Sequence, residues 1–432
     1  MIDKVEKYLE RKGLSYEIYY KSNNSLSAEV ANDKIDYVSE GETGSLSVRV
    51  ALGKRVGLAY TSNLNHYKNC VDAAVKVAKS NKEDNNFSGF VMPAKYDKFM
   101  PDNALLKLTP EDFRTFVHKF SSELKNINPN IKVSLGMLNK SVTTTMIMNS
   151  NGVKAKTTIA DNVFAGEIMF KDKGKLVNME IEIGDNKALN PRLGKDYAQR
   201  LVAMSNKKQI KTAQMPIIMD VEALSCLFSQ AYVFGVSGEN ITLKKSLLKT
   251  GAKVFDEKIT IVDDATNPKL FASRPFDSEG TKSRKFKVVD KGVFVQPLYN
   301  EYYARINNTT STGNAYRTPT TSPTIMPNNI IIKKGKSDVL KETKKAIFVR
   351  SVLGTHTMNE VTGDFSLGVM EGYMVENGEV KHALSDIMIA GNFFDMMKDV
   401  GEVDKKLEHS LNVSGGCYFP RILFNKIKVV GK

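Results

Sequence analysis

Apolar and polar side chains alternate with a period of two along much of this chain, a pattern that only half-buried strands satisfy. The runs YEIYY, LSAEVA, KIDYVSE, SLSVRVAL and RVGLAY follow one another between Tyr16 and Tyr60. KSNNS, ND, GETG and GK stand between them and consist of residues that tolerate turns and positive φ. LSAEVANDKIDYVSE therefore predicts a hairpin. Further runs (NIKVSLGML, VTTTMIMN, VKAKTTIA, NVFAGEIMF) flank the Asn-Gly turn Ser150–Val153, and ENGE near the C-terminal end carries a second one. Short strands joined by hairpins make antiparallel sheets.

Helical periodicity fills the gaps. Residues 2–12 place Ile2, Val5, Tyr8 and Leu9 on one face, and NLNHYKNCVDAAVKVAKSN does the same with Cys70, Ala73, Ala74, Val77 and Ala78. Thr109 is an expected N-cap, with Pro110 at the first helical position and Asp112 at N3, opening a helix to about Leu124. GKDYAQRLVAMSN is another helix, SGENITLKKSLLK a further helical piece, and Asp220 caps a helix after the buried strand MPIIM. The expected fold is α+β in three parts: a small α+β domain over residues 1–82, a middle α+β domain over 83–206, and a C-terminal domain over 207–432 rich in antiparallel strands.

At 432 residues, with 41% hydrophobic and 25% charged side chains, the chain has the composition of a globular protein with a sizeable core. No apolar run approaches the ~18 residues of a membrane span, so no membrane role is expected. The charged first helix has no apolar signal core, and Cys70, Cys226 and Cys417 lie far apart, so a reducing cytoplasm is the expected location. The net charge of +14 is dispersed, without a basic block or an interleaved aromatic stripe. A solvated lysine-rich surface explains it better than a nucleic-acid partner does.

Most catalytic signatures fail. Gly363 and Gly368 have phosphate-loop spacing, but Val369 stands where lysine is required. GVSGE is one residue short of a nucleophile elbow, and its Ser237 is expected to cap the next helix. His66, His118, His356, His382 and His409 show no pair one helical turn apart, so no zinc helix of the H-E-x-x-H kind exists; a composite of His356, His382 and Cys417 is the remaining alternative. Asp263 and Asp264 end a strand, and SRPFDSEGTKSR gathers Arg274, Asp277, Glu279 and Arg284 in a Gly/Pro loop, where ion pairs that order the loop are the simplest reading. GTHTMNEVTGDFSLG sets His356 among polar groups and glycines at a strand end, as an active site would.

Taken together, several of these segments resemble the TldD/PmbA family, also called the modulators of DNA gyrase. SLSAEVANDKIDYVSEGETGSLSVRVALGKRVGLAYTSNL is similar to the family's opening strands, and SRPFDSEGTKSR, LYNEYYARINNTTSTGNAYR, GTHTMNEVTGDFSLG, VENGEV and IAGNFFDMMKDVGEV occur in the family's order. The resemblance implies a choice between two kinds of member. TldD-like chains hold zinc with an H-E-x-x-x-H helix and a later cysteine, and act as peptidases. PmbA-like (TldE) chains lack those ligands and pair with them. At the matching place, Ser225 stands for the first histidine, Cys226 for the glutamate and Gln230 for the second histidine. Cys417 lies near the ligand cysteine's position, but in GGCYFP, and reads as a structural thiol.

The resemblance thus implies the non-zinc subunit of a cytoplasmic metalloprotease complex acting on unfolded or flexible peptides. Zinc is expected in a TldD-like partner and no cofactor in this chain, which could form a homodimer when alone. Substrate or partner contacts are expected from His356, Asn359, Thr362, Gly363 and Asp364, and from Arg274, Asp277, Glu279, Ser311, Thr312, Gly313 and Asn314. Two alternatives stand beside this one. The first is a self-sufficient peptidase using His356 with Cys417, or Asp263 with Asp264. The second is a non-enzymatic protein that binds DNA or a topoisomerase.

Overall fold

The computed structural model describes residues 2–172, 174–412 and 416–432. Six long antiparallel strands build the first sheet: β1 (Ser15–Ala31), β2 (Lys34–Leu52), β3 (Arg55–Thr61), β4 (Ile131–Asn149), β5 (Lys154–Asp172) and β6 (Lys175–Asp185). Their order is β3-β2-β1-β4-β5-β6. The predicted Asn32-Asp33 hairpin is present, with φ of 49° and 68°, and so is the Asn-Gly turn, where Gly152 has φ of 95°.

The strands are longer than the sequence predicts. KSNNS and GETG lie within β1 and β2 rather than between strands, because they pair with each other: Ser22 faces Gly44, Asn23 faces Thr43 and Ser25 faces Gly41. β4 adds Thr144, Thr143 and Ser141 opposite the same β1 residues. Side-chain bonds cross this polar waist, from Thr143 Oγ1 to Asn23 Oδ1 (3.1 Å) and from Ser27 Oγ to Asn139 Oδ1 (2.8 Å). Turn-tolerant residues carry no apolar signal, so a strand crossing an unburied zone reads as a loop.

On either side of the waist the sheet is apolar and covered by helices. At one end, α1 (Ile2–Arg11) and α2 (Tyr67–Ser80) bury Tyr16, Ile18, Leu46, Val48 and Met148. At the other, α3 (Pro110–Ile127), opened by the Thr109–Asp112 capping box, and α4 (Leu193–Ala203) bury Leu26, Ala28, Val30, Leu138 and Phe164. Residues 1–82 and 83–206 therefore share one sheet, since β1 and β4 pair continuously from Glu17 to Ala31. The expected boundary between them falls in the connection, not between two sheets.

The remainder is a second, eleven-stranded sheet in which Cys417–Val430 is central. This strand pairs with Met388–Asn392 and with Ala213–Met219. The path from Met388–Asn392 through Asp364–Glu376 and Lys345–Leu353 returns to Ala213–Met219. Five strands thus close a ring. Inside the largest apolar cluster lies α5 (Val221–Leu227), packed on Ile347, Val349, Ile422 and Phe424. Ser237 occupies an N-cap position as expected, but its side chain makes no capping bond. No helix among the described residues is long and apolar enough to cross a membrane.

Candidate functional site

The two sheets diverge around a cleft of about 890 Å³. Strand alternation sets its floor. Across β1, β4, β5 and β6, one row of facing residues is Ala31, Leu135, Glu167 and Glu180, and a second is Glu29, Met137, Ala165 and Glu182. The row between them, Val30, Gly136, Gly166 and Ile181, turns to the helix side, where Val30 and Ile181 join the core. Period-two geometry therefore presents four carboxylates and two exposed apolar side chains, Leu135 and Met137, to the cleft. Opposite stand Tyr197, Glu222 and Cys226, the strand end Ser351–Val352, and His409 to Asn412.

Glu222 and Cys226 project from α5, capped by Asp220 Oδ1, which accepts from Val221 N at 2.8 Å. Beyond Leu227 the helix widens into a π-turn over Phe228–Tyr232. Such a turn advances five residues per hydrogen bond, the spacing between Ser225 and Gln230, and insertions of this kind concentrate at functional sites. Ser225 Oγ is fully engaged: it lies 2.9 Å from the Glu222 carbonyl and 3.1 Å from Ser410 Oγ, and accepts from Asn412 Nδ2 at 3.0 Å. Burial, then the charges of Glu222 and Glu182, push the Cys226 thiol up to about 11. A catalytic or ligating cysteine is shifted the other way.

Residues 212–431 match the PmbA/TldA metallopeptidase C-terminal domain, and residues 16–78 match PmbA/TldA metallopeptidase domain 1. The chain belongs to the PmbA/TldD family. It is 28% identical over 409 residues to an uncharacterized protein of Methanocaldococcus jannaschii, covering 92% of this chain and 93% of that one. It is 25% identical to a Metalloprotease PmbA homolog of Haemophilus influenzae, over 97% and 93% of the two chains. The crystal structure of TldE from Thermococcus kodakarensis shares the fold, with a TM-score of 0.92 over 100% of both chains at 24% identity.

A metallopeptidase family implies a metal, and the residues at the motif positions do not fit one. A hydroxyl already satisfied by neighbours, a thiol held protonated and the amide of Gln230, 3.4 Å from Ser229 Oγ, make a poor donor set. Among the described residues no group of three or more His, Cys, Asp or Glu is arranged to hold a metal ion. Cys417 is fully buried in the apolar core of the closed sheet.

In this PmbA/TldD chain the other sequence-derived candidates fall in two separate places. Arg274, Asp277, Glu279 and Ser311 to Asn314 meet in a buried polar network where the two sheets join. Asp277 accepts from the backbone N–H groups of Glu279, Thr281 and Ala315 at 2.9–3.0 Å. Arg274 Nη2 donates to the Ala315 carbonyl (3.3 Å). Tyr299 N donates to Thr312 Oγ1 (2.7 Å), Ser311 Oγ to the Tyr299 carbonyl (3.2 Å), and Asn314 Nδ2 to Asp263 Oδ2 (3.4 Å). Gly313 adopts φ of 78° and donates to Ser311 Oγ. Burial, then the charge of Glu279, raises Asp277 to about 7.

Glu279 belongs to a clamp across the junction. Arg49 of β2 sits between Glu17 (3.3 Å) and Glu279 (3.5 Å), and fully buried Arg317 lies 2.6 Å from Glu17 and stacks on Tyr19 at 4.4 Å. The Arg317 N–H groups miss hydrogen-bond alignment, so the short distance marks a charge contact rather than an aimed bond.

His356, Asn359, Thr362, Gly363 and Asp364 form a self-contained surface turn outside the cleft. Asn359 Oδ1 accepts from Val361 N and Thr362 N (3.0 Å each), Thr362 Oγ1 donates to Asp364 Oδ2 (2.7 Å), and Asn392 Nδ2 donates to Asp364 Oδ1 (2.9 Å). Gly363 needs its φ of 83°, and a Cβ there would come within 2.8 Å of the Phe394 ring. His356 is exposed in a 3₁₀ turn, remote in kind from buried Cys417.

Sequence reasoning missed the charge cluster behind Glu222. Arg200, 6% exposed, grips Glu371 with Nε (3.0 Å) and Nη2 (2.6 Å) and reaches Glu222 at 3.1 Å. Arg350 pairs with Asp220 at 2.7 Å, and Arg421 with Glu408 at 2.9 Å. Burial and the neighbouring Asp220 push Glu408 up to about 7. One signal was available: Arg200 lies among Tyr197, Ala198 and Leu201, on the apolar face of its helix.

Proposed function

We propose that this chain is the non-zinc, PmbA/TldE-like subunit of a cytoplasmic metalloprotease complex that acts on unfolded or flexible peptides with a zinc-bearing TldD-like partner. The observation carrying this reading is the helix α5 and its π-turn. They set the five-residue spacing of the family's metal helix beside a peptide-sized cleft, with side chains unsuited to the metal. What remains useful is the cleft itself, whose floor offers flat strands, apolar side chains and carboxylates to an extended chain. The two residue pairs that a self-sufficient peptidase would need give that alternative no support. His356 and Cys417 lie in different environments, and Asp264 is tied to Lys285 (2.9 Å) while Asp263 accepts from Asn328 (2.8 Å).

Co-expression with a TldD-like chain tests the proposal. The expected result is a heteromer that survives size exclusion at micromolar concentration, cleaves unfolded peptides, and binds zinc in proportion to the partner. Failure to co-purify, or one zinc per chain in this protein purified alone without chelator, would overturn it.

A further inference from the structure

The charge of the cleft runs against that of the molecule. The chain carries a net charge of +14, yet among the described residues no lysine or arginine lines the cleft, where the charged groups are Glu29, Asp36, Glu167, Glu180, Glu182 and Glu222. His409, the one histidine there, is held neutral at pH 7 because burial lowers it to about 4. Glu222 is committed to Arg200 and Glu167 to Ser134, whereas Glu29, Asp36, Glu180 and Glu182 have no ion-pair partner among the described residues. Glu180 and Glu182 also sit on an unusual strand. β6 is the last strand of its sheet, and among the described residues its backbone bonds only to β5. Its free edge carries the cleft-lining residues Glu180, Ile181 and Glu182.

We propose that this cleft selects extended peptides bearing lysine or arginine at alternate positions, with Glu180 and Glu182 as the specificity-determining pair. This deepens the function proposed above and rests on it for the source of the peptide. A chain lying along β6 would satisfy the open row of N–H and C=O groups. Its alternate side chains would then stand opposite Glu180 and Glu182, and cross-strand neighbours at ~4.5–5.5 Å reward opposite charge. Two positions of one sign, two residues apart in β6, thus translate into a Lys-x-Lys pattern. The rest of the surface is positively charged on balance, so a cationic peptide finds little to hold it elsewhere.

Fluorescence anisotropy with the full chain alone decides the matter, using labelled decapeptides that alternate Lys with Val, Glu with Val, or Ser with Val. A fourth, proline-substituted Lys/Val peptide cannot add to a strand. The expected result is binding of the Lys/Val peptide at least tenfold tighter than the other three, weakened at least tenfold in E180Q/E182Q. Both glutamates are exposed, so glutamine there leaves the fold intact, and the melting temperature of the variant checks this. Equal binding of the Glu/Val or Ser/Val peptide, no binding at all, or unchanged affinity in E180Q/E182Q would each overturn the inference. Indifference to proline would also overturn it, by reducing the contact to diffuse charge. Co-purification of E180Q/E182Q with a TldD-like chain is scored separately. Heteromer formation without cationic preference sinks only this inference, and cationic preference without a heteromer sinks only the function it rests on.

Discussion

Replacing Arg200 by methionine probes how the two sheets are held beside the cleft. Arg200 sits on α4, which packs on the first sheet, while its main partner Glu371 belongs to the second. Methionine keeps most of the aliphatic stem in place, so the change removes charge more than volume. It leaves Glu371, 3% exposed, with Tyr373 Oη donating at 2.7 Å and Arg350 only at 3.9 Å. Orphaning one member of a buried ion pair costs about 3–5 kcal/mol. The residual contact with Arg350 places R200M at the low end, near ~3 kcal/mol. For a cooperative unit of roughly 200 residues, unfolding entropy near 2.1 cal/mol/K per residue converts this to a melting point lower by about 6–7 °C. Differential scanning calorimetry reads the shift. The double variant R200M/E371Q removes the orphaned charge yet keeps an acceptor for Tyr373, and should recover more than half of the loss. A drop under about 2 °C in R200M, or a double variant no better than the single one, would refute the reasoning.

Three further outcomes are expected. G363A should lower the melting point by several degrees, since alanine meets both a left-handed φ of 83° and the Phe394 ring at 2.8 Å; a shift within one degree would mean the turn relaxes. Iodoacetamide should label half-buried Cys226 slowly at pH 8, because its thiol is pushed up to about 11, and E182Q should speed labelling by removing a nearby negative charge; mass spectrometry locates the adduct. Glu408, raised to about 7 by burial and by Asp220, binds its proton more tightly when folded than the ordinary carboxylate of the unfolded chain. Its stabilisation is therefore complete below about pH 4 and is lost as pH rises towards about 7. E408Q imitates the protonated form, so its melting point should fall less than that of the parent between pH 5 and 8; parallel curves would remove Glu408 from the account.

The sequence spoke clearly where local chemistry and burial agree. Thr109, Pro110 and Asp112 announce a helix start that the structure builds as a capping box. The Asn-Gly pair at Asn377 and Gly378 announces a hairpin whose turn residues adopt φ of 52° and 79°. It misled where distant segments decide a residue's setting. Ser22 to Ser25 read as a turn until Gly41 to Gly44 are found alongside them. The conspicuous polar motifs proved to be internally satisfied, as Asn359 and Asp364 show, whereas the cleft draws on β1, β4, β5 and β6, of which only β1 falls in a segment resembling the family's. Family resemblance located α5, but for Arg200 the helix pattern hints only at burial, and its partners Glu371 and Glu222 arise from tertiary packing.

The polar waist gives the first sheet the mechanics of a beam clad at both ends and bare in the middle. The end bearing Glu17, Tyr19 and Arg49 is bolted to the second sheet through Arg317 and Glu279, while the cleft floor lies on the far end. Between them, strand-to-strand bonds and a few hydroxyls and amides hold the form. Glu180 and Glu182 face Glu167 and Ala165, only four to nine residues beyond the waist positions Asp161 to Thr158 of β5, and beside them Arg200 and Glu371 tie the two sheets a second time. The beam is thus pinned at both ends, by Arg317 and Glu279 at one and by Arg200 and Glu371 at the other, and the cleft opens beside the second pin.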